Sequence, residues 1–213
     1  MTDLNQGQER CIPITGGIAC GKSTVGSFIK EMGYLVLDAD SFAQEALQPK
    51  STGLKSVADI FGETILTADG KLHRKKAADI IFNDMNKKKI FENIVHPIIN
   101  RLLSEAINRH KEKTYPFWFY EIPLLFEKKL HLEYQRIWVV DCPSHIQVTR
   151  ITNRDNRELT MIERIIANQI PQDEKKSLAS TVIDTNCSKI ELKQRIVSAI
   201  ALEKDYFRKF YAK

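Results

Sequence analysis

Short apolar runs alternate with longer amphipathic segments along most of the chain. Five of the runs are typical of buried strands, at residues 11–15, 34–37, 117–122, 136–141 and 180–184. Helical segments separate these runs, and the run at 117–122 is apolar enough to be buried on both faces, so we expect a parallel sheet covered by helices. Pro13 lies in the first run, where it removes a ladder donor, so either the strand begins there or one hydrogen bond is lost. The pattern predicts an α/β fold.

Apolar residues spaced three and four positions apart predict the helices. They cover residues 24–32, 41–48, 54–61, 74–82, 87–111, a segment from 144, 161–169 and 191–211, with a short helix after Pro123. Pro97 is expected to kink the fifth, and Pro171 to end the segment that starts at residue 144. Residues 41–114 are mostly helical, so we expect them to form an insertion between two parts of a core domain, 1–40 and 115–213, with a lid at about 144–172.

The most informative motif lies between the first strand and the first helix. Gly16, Gly21, Lys22 and Ser23 match G-x-x-x-x-G-K-S/T, and this strand–loop–helix context disfavours a chance match to a glycine-rich turn. Such a loop points backbone N–H groups and a helix N-terminus into one concavity that suits a polyphosphate. The expected phosphate-binding residues are Gly16, Gly17, Ile18, Ala19, Cys20, Gly21, Lys22, Ser23 and Thr24.

Two side chains of this loop have further expected roles. Lys22 can reach the β- and γ-phosphate oxygens, and the Ser23 hydroxyl can join the shell of a bridging Mg²⁺.

Carboxylates follow two of the predicted strands. Ligands of doubly wound sheets sit outside the carboxyl ends of the strands, where Asp38 and Asp40 follow the second strand. A carboxylate there can hold a metal through water, accept the proton of an attacking hydroxyl, or cap the next helix. We assign the cap to Asp38 and the chemistry to Asp40. Asp141 ends the fourth strand and is either a metal ligand or, as favoured here, a cap ahead of Pro143.

The arginines of the predicted lid and the His-Pro pair in the insertion each have two interpretations, one functional and one purely structural. Arg150, Arg154, Arg157 and Arg164 recur along the predicted lid. They form either a solvated face or, for at least one of them, a group that neutralises charge on a transferred phosphoryl group. His96 and Pro97 form either an ordinary helix kink or a ligand contact.

Composition narrows the class of protein. The 213 residues are 43% apolar, without a run long enough to span a membrane. Residues 1–10 are polar, which argues against a targeting segment. The four cysteines show no C-x-x-C spacing, so we expect free thiols in the cytoplasm. The net charge is +5, and the basic clusters at 74–76, 87–89, 128–129 and 175–176 are interpreted as solvated helix faces, so no nucleic-acid partner is expected.

Several separate segments resemble the dephospho-coenzyme A kinase family. The shared residues are 15–18, 21–24, 36–40, Asp69, Gly70, Arg74, 96–98, 123–127, Gln147, Arg150, Arg154, Asp155, Gln169, Val182, Ile183 and Asn186. The chain departs from the family at Gln44, where an arginine is usual, at Cys20, where serine is frequent, and at Cys187, where glycine is common. Neither cysteine removes a catalytic group, whereas Gln44 leaves open which cation compensates for the usual arginine on the acceptor side.

The resemblance implies a P-loop NTPase fold with a five-stranded parallel sheet flanked by helices, a helical acceptor-binding insertion and a helical lid. It implies transfer of the γ-phosphoryl group of Mg-ATP to the ribose 3′-hydroxyl of dephospho-CoA, in the last step of coenzyme A biosynthesis. Asp40, Lys22 and Arg150 would be catalytic, with Asp40 a candidate metal ligand through water and Arg154 in contact with the nucleotide. The residues expected to bind dephospho-CoA are Asp40, Arg74, His96, Pro97, Pro123 and Leu124.

The alternatives are another P-loop small-molecule kinase, of the nucleoside or shikimate type, and a nucleotide switch or nucleic-acid-dependent ATPase. A switch GTPase would need an N-K-x-D motif after a late strand, where this chain has only residues 186–189. The protein is expected to be a monomer or a weak homo-oligomer.

Overall fold

A five-stranded parallel sheet organises the larger part of the chain. The structure is a computed structural model that describes residues 9–110, 116–155 and 158–211. The strands are β1 (Cys11–Gly16), β2 (Val36–Asp38), β3 (Trp118–Glu121), β4 (Trp138–Asp141) and β5 (Thr181–Asp184), in the order β2-β3-β1-β4-β5. Every neighbouring pair is parallel. The predicted α/β fold is therefore confirmed.

Helices fill most of the remaining described residues. They are α1 (Lys22–Glu31), α2 (Ala39–Ala46), α3 (Thr52–Phe61), α4 (Arg74–Phe82), α5 (Met85–Arg109), α6 (Ser144–Asp155), α7 (Leu159–Ala167), α8 (Gln172–Ser177) and α9 (Lys189–Tyr211). Short 3₁₀ turns lie at Glu63–Ile65 and Leu130–Glu133. The sequence did not predict α8, and the segment after Pro123 forms turns rather than the expected short helix.

The chain divides into two compact units. The sheet unit comprises Met1–Asp38 and Lys113–Lys213, and the helical unit comprises Ala39–Glu112. Each unit has its own hydrophobic core. The core of the sheet unit contains Ile12, Ile14, Phe119, Trp138 and Ile196, and that of the helical unit contains Ala46, Val57, Ile65, Ala77 and Val95.

Proline is tolerated inside the central strand. Pro13 lies within β1 and is opposite Tyr120 of β3, whereas the pairing of β1 with β4 begins only at Ile14. The Ile14 carbonyl accepts a hydrogen bond from Ile122 of the β3 side, so the backbone of Pro13 faces the other neighbour. The missing N–H thus lies where no partner strand has yet begun.

Glu203 of α9 fastens this helix to the sheet. Its fully buried carboxylate accepts hydrogen bonds from Arg136 Nε at 2.8 Å, Trp138 Nε1 at 2.9 Å and Thr181 Oγ1 at 3.1 Å. A buried charge is tolerated when donors surround it, as they do here. The contact therefore orients α9 on β4 and β5.

Within the described ranges, no helix combines the length and the apolar character that crossing a bilayer would require.

Candidate active site

The loop between β1 and α1 ends in an uncapped helix N-terminus. Gly21 precedes α1 with a left-handed φ of 94°, and no side chain caps the helix. The first turn of α1 contains no acidic residue. The N–H groups of this turn and the positive end of the helix dipole are therefore suited to an anion.

The start of the loop requires glycine. Gly16 has a φ of 145°, and a Cβ at this position would collide with the carbonyl oxygen of Val140 on β4. A Cβ on Gly17 would lie 2.5 Å from Nε2 of Gln147. The backbone of β4 therefore leaves no room for a side chain at Gly16, whereas a side chain at Gly17 would displace the Gln147 amide.

Lys22 lies across the loop. Its ammonium group donates to the carbonyl oxygens of Gly16 at 2.9 Å and Gly17 at 3.0 Å. Ser23 and Thr24 follow in the first turn of α1, and both are exposed. The motif thus brings a cation and two hydroxyl-bearing residues to one helix end.

These residues fit ATP and Mg²⁺. The uncapped helix end and Lys22 supply the donors and the positive charge that a triphosphate needs. In the described ranges no group of three His, Cys, Asp or Glu residues could hold a metal ion. Mg²⁺ bound mainly through phosphate oxygens and water needs few protein ligands, and the exposed Ser23 hydroxyl is suited to be one of them.

Three glutamine side chains hold the first residues of the loop. Gln147 Nε2 donates to the Ile18 carbonyl at 2.8 Å, and Gln169 Oε1 accepts from the Ile18 N–H at 2.9 Å. Gln172 Oε1 accepts from the Gly17 N–H at 3.0 Å. The family resemblance included Gln147 and Gln169, but sequence reasoning missed Gln172.

Arg150 reaches the loop from α6. Its Nη1 donates to the Ala19 carbonyl at 3.2 Å and to Thr185 Oγ1 at 3.0 Å, and its Nη2 donates to the Thr185 carbonyl at 3.0 Å. The buried Thr185 follows β5, and its hydroxyl donates to the Cys20 carbonyl at 2.7 Å. Arg150 therefore connects the loop to the end of β5 through a residue that the sequence did not indicate.

The other arginines of the predicted lid occupy different positions. Arg154 is exposed and forms a bidentate pair with Asp155, at 2.6 Å and 3.0 Å. Hydrogen bonding to Asp155 raises the pKa of Arg154. Arg164 is exposed on α7, and Arg157 lies outside the described residues.

The Asp141 carboxylate contacts side chains of α8 rather than the start of α6, and its interpretation as a metal ligand stays a prediction. Its Oδ1 accepts from Gln172 Nε2 at 2.9 Å, and its Oδ2 lies 3.3 Å from the Lys176 ammonium. The favoured interpretation as a cap of α6 is wrong, because α8 occupies both carboxylate oxygens. The first turn of α6 is closed instead by the Pro143 carbonyl, which accepts from the N–H groups of Ile146 and Gln147.

The interpretation of the basic cluster at 175–176 as a solvated helix face is wrong for one of its two lysines. Lys175 was expected on a solvated helix face, but it is fully buried, with its ammonium 2.7 Å from Glu127 Oε1. Glu127 also accepts from the Ile170 N–H at 3.3 Å. This pair fixes α8 against the segment that follows β3, which explains why two adjacent lysines do not both face water.

The four cysteines form no disulfide, as predicted. Cys20, in the loop, is fully buried and hydrogen-bonded to Cys142. This hydrogen bond lowers the pKa of Cys20 against the opposing effect of burial, and the charge of Lys22 lowers it further. Hydrogen bonding to Cys20 and burial raise the pKa of Cys142. The departure from serine in the loop therefore places a perturbed thiol beside the phosphate-binding residues.

The helical unit contains a cavity of about 720 Å³. Asp40, Gln44, Lys71 and Arg74 contribute to its polar lining, and Phe91 contributes to its apolar lining. The structure therefore brings two residues of the expected acceptor site, Asp40 and Arg74, into one cavity.

The other expected acceptor residues lie elsewhere. His96 and Pro97 are exposed on α5, outside the lining of this cavity. In the sheet unit, the Pro123 carbonyl accepts from Thr15 Oγ1 at 3.3 Å, and Leu124 is exposed. Asp38 is the last residue of β2, and Asp40 is in the first turn of α2.

A parallel sheet of this order, with a phosphate-binding loop between its central strand and α1, defines a P-loop kinase fold. A shikimate kinase from Acinetobacter baumannii has the same fold, at 16% identity and a TM-score of 0.51, with 94% of this chain and 98% of that chain covered. The chain belongs to the dephospho-CoA kinase (CoaE) family, whose profile matches residues 10–191. Its activity is thus the ATP-dependent phosphorylation of dephospho-CoA, a step of coenzyme A biosynthesis.

Two relatives named as dephospho-CoA kinases agree with this assignment, and a third solved structure shares the fold. The dephospho-CoA kinase of Staphylococcus epidermidis is 36% identical over 188 residues, which are 88% of this chain and 92% of the relative. A dephospho-CoA kinase structure from Campylobacter jejuni has a TM-score of 0.63 at 28% identity, covering 90% of this chain and 96% of that chain. The structure of TT1252 from Thermus thermophilus has a TM-score of 0.79 at 32% identity, and the match covers 91% of this chain and 96% of that chain.

Proposed function

We propose that the protein moves the γ-phosphoryl group of Mg-ATP to the 3′-hydroxyl of the ribose of dephospho-CoA, and that the residues described above divide this work. The observation that carries the proposal is the uncapped N-terminus of α1, with Lys22 lying over the loop before it. Phosphoryl transfer depends mainly on positioning and on charge stabilisation, both of which this arrangement provides.

The loop from Gly16 to Thr24 holds the donor. Backbone N–H groups of the loop other than those of Gly17 and Ile18, which two glutamines hold, contact the phosphates, and Lys22 exchanges its two carbonyl partners for the β- and γ-phosphate oxygens. The Ser23 hydroxyl is the protein ligand of Mg²⁺, with Asp40 a candidate ligand through water. When bound, Mg²⁺ neutralises charge on the β- and γ-phosphates.

Asp40 accepts the proton of the attacking hydroxyl. It lies in the first turn of α2 and lines the cavity of the helical unit. A carboxylate is the group expected to orient and deprotonate a ribose hydroxyl in a kinase. The proposal therefore places the ribose of dephospho-CoA at the part of the cavity that Asp40 lines.

Lys71 and Arg74 contact the diphosphate of the acceptor. Both line the same cavity as Asp40 and as Gln44, which stands where the family usually has an arginine. These two cations of the same cavity compensate for the missing positive charge. Arg74, His96, Pro97, Pro123 and Leu124 remain the proposed contacts of the acceptor beyond Asp40.

Two arginines complete the proposed donor site. Arg150 stabilises charge on the transferred phosphoryl group, because its guanidinium already contacts the loop at Ala19. Arg154 contacts the nucleotide after leaving its exposed pair with Asp155. The segment 144–172, which contains both, acts as the lid.

The test is phosphoryl transfer from γ-labelled ATP to a panel of dephospho-CoA, adenosine and shikimate. We expect label only in CoA, with the new monoester at the ribose 3′ position by phosphorus NMR. A Lys22→Met variant controls for contaminating kinases. Transfer to adenosine or shikimate in preference to dephospho-CoA would overturn the proposal.

We further propose that the protein acts in the cytoplasm, as a monomer or weak homo-oligomer, without a nucleic-acid partner. The four unpaired cysteines fit a reducing compartment. Turnover that is unchanged by DNA or RNA, and by a tenfold dilution of the protein, is the expected result. A rate that rises with either nucleic acid would contradict it.

A further inference from the structure

The side-chain amide of Gln172 joins three elements of the sheet unit. Its Oε1 accepts from the Gly17 N–H at 3.0 Å. Its Nε2 donates to Asp141 Oδ1 at 2.9 Å and to the Val140 carbonyl at 3.3 Å, and it lies 3.4 Å from Cys20 Sγ. One amide therefore connects α8, the end of β4 and the phosphate-binding loop.

Only a side chain with both a donor and an acceptor can satisfy these partners. The Gly17 N–H needs an acceptor, whereas the ionised Asp141 carboxylate and the Val140 carbonyl need donors. An aliphatic side chain would leave all three without this partner, and a carboxylate would repel Asp141. Glutamine is thus chemically matched to the position.

The helix that carries Gln172 is itself fixed. Lys175 is fully buried in its ion pair with Glu127, and Lys176 lies 3.3 Å from Asp141 and 2.7 Å from Asp173. These contacts tie α8 to the segment that follows β3 and to the end of β4. The Gln172 amide is therefore presented to the loop by a helix that two ion pairs hold to other segments.

Gly17 transmits this support to Lys22. The N–H of Gly17 is held by Gln172, and its carbonyl accepts from the Lys22 ammonium at 3.0 Å. A free Gly17 could rotate its peptide groups at little steric cost, because glycine has no Cβ. Rotation would move both the start of the loop and the resting position of the ammonium.

We infer that Gln172 is a positioning residue for the phosphate-binding loop, acting through Gly17 to hold the loop backbone in the form that binds ATP and to set the position from which Lys22 reaches the phosphates. The inference rests on the proposed ATP-dependent function. It concerns the donor side alone, so it should alter ATP binding and leave the acceptor's binding constant unchanged.

The test compares Gln172→Met, which keeps the length of the side chain without its hydrogen bonds, with Gln172→Glu, which keeps only the acceptors. Glu174→Gln is the matched control, because it exchanges a carboxylate and an amide at an exposed position of the same helix. ATP affinity is measured by calorimetry without acceptor, and KM is measured for both substrates. The folded fraction is checked by circular dichroism.

For Gln172→Met we expect the Kd and the KM for ATP to rise about tenfold, with the KM for dephospho-CoA unchanged. For Gln172→Glu we expect a larger loss of ATP affinity at pH 8 than at pH 6. At the lower pH the carboxyl group introduced beside the negative charge of Asp141 is more often protonated, which restores a donor toward Asp141. The other titratable groups around this point are Lys176, Asp173, the Cys20 thiol and Lys22.

The inference is overturned if folded Gln172→Met binds ATP within twofold of the unaltered protein and Gln172→Glu shows no extra dependence on pH. A fall in melting temperature with unchanged ATP affinity would likewise reduce Gln172 to a structural residue. Calorimetry separates this failure from failure of the proposed function, because ATP binding is measured even if dephospho-CoA is not the acceptor.

Discussion

The Lys175 ammonium and the Glu127 carboxylate meet at 2.7 Å, with the lysine side chain wholly out of contact with solvent. The two atoms attract as an ion pair, although their angles fall outside hydrogen-bond geometry, and the second carboxylate oxygen is buried without a hydrogen-bond partner among the described residues. Such a pair contributes little net stability, but removing one partner leaves the other charge uncompensated. The pair therefore orients α8 more than it stabilises the fold.

Lys175→Met should lower the free energy of unfolding by about 3 kcal/mol, because Glu127 is left as a poorly solvated carboxylate. The double variant Glu127→Gln with Lys175→Met should regain much of this loss. Urea denaturation measures all three proteins. Lys128→Met, at an exposed neighbour of Glu127, should remain within about 0.5 kcal/mol. Equal losses in the single and double variants would contradict an uncompensated charge as the cause.

Asp40→Asn should keep ATP affinity but reduce kcat by about 10²- to 10⁴-fold, because the amide cannot accept the proton of the attacking hydroxyl. Steady-state kinetics with dephospho-CoA and calorimetry with ATP measure the two effects separately. Asp38→Asn, at the last residue of β2, is the matched control and should alter kcat by less than tenfold. Unchanged turnover in Asp40→Asn would assign the base to another residue.

Arg150→Met should reduce kcat by about 10³-fold if the guanidinium stabilises charge during transfer. The same arginine also fastens the loop to Thr185, so a purely structural effect must be measured. Thr185→Val removes that hydroxyl contact and leaves the arginine in place. We expect less than a tenfold effect from Thr185→Val, and similar losses in the two variants would show that Arg150 acts only by docking the loop.

Alkylation of Cys20 should proceed at a lower pH than alkylation of an ordinary thiol. The hydrogen bond from Cys142 lowers the pKa of Cys20, burial opposes this change, and Lys22 adds to it. Cys142→Ala should therefore move the midpoint of the pH profile upward, whereas Cys142→Ser, which keeps a donor, should retain it. Mass spectrometry of iodoacetamide-treated protein gives the rates at each pH.

ATP should slow the alkylation of Cys20, since the loop closes around the phosphates. Cys187, which is partly exposed and follows β5, provides the internal reference within each digest. Equal rates at Cys20 with and without ATP would count against the placement of this thiol in the nucleotide site.

The sheet and the loop could be predicted because their signals are local. Buried strands such as β3 and β4 are continuous apolar runs, and the glycines and lysine of the loop occur at fixed spacing before a helix. In most cases the observed ends of the helices and strands differ from the predicted ends by one or two residues. These differences do not change which side chains reach the carboxyl edge of the sheet.

The support of the loop could not be predicted because it depends on tertiary contacts. Two adjacent lysines after Pro171 indicate a solvated segment, whereas burial of Lys175 depends on Glu127, 48 positions earlier in the chain. Acidic residues in the first turn of α8 and basic residues in its last turn were a usable sign of a helix. Nothing local, however, indicated that Gln172 would reach Gly17.

The two backbone contacts of the loop with Gln172 and Gln169 span 155 and 151 residues of the chain. During synthesis on the ribosome, a nascent chain that has emerged only as far as α6 contains the whole phosphate-binding motif but neither glutamine. Nucleotide affinity should therefore appear late in translation, after α8 leaves the exit tunnel. The nascent polypeptide therefore has to fold as far as α8 without the stabilising contribution of bound ATP.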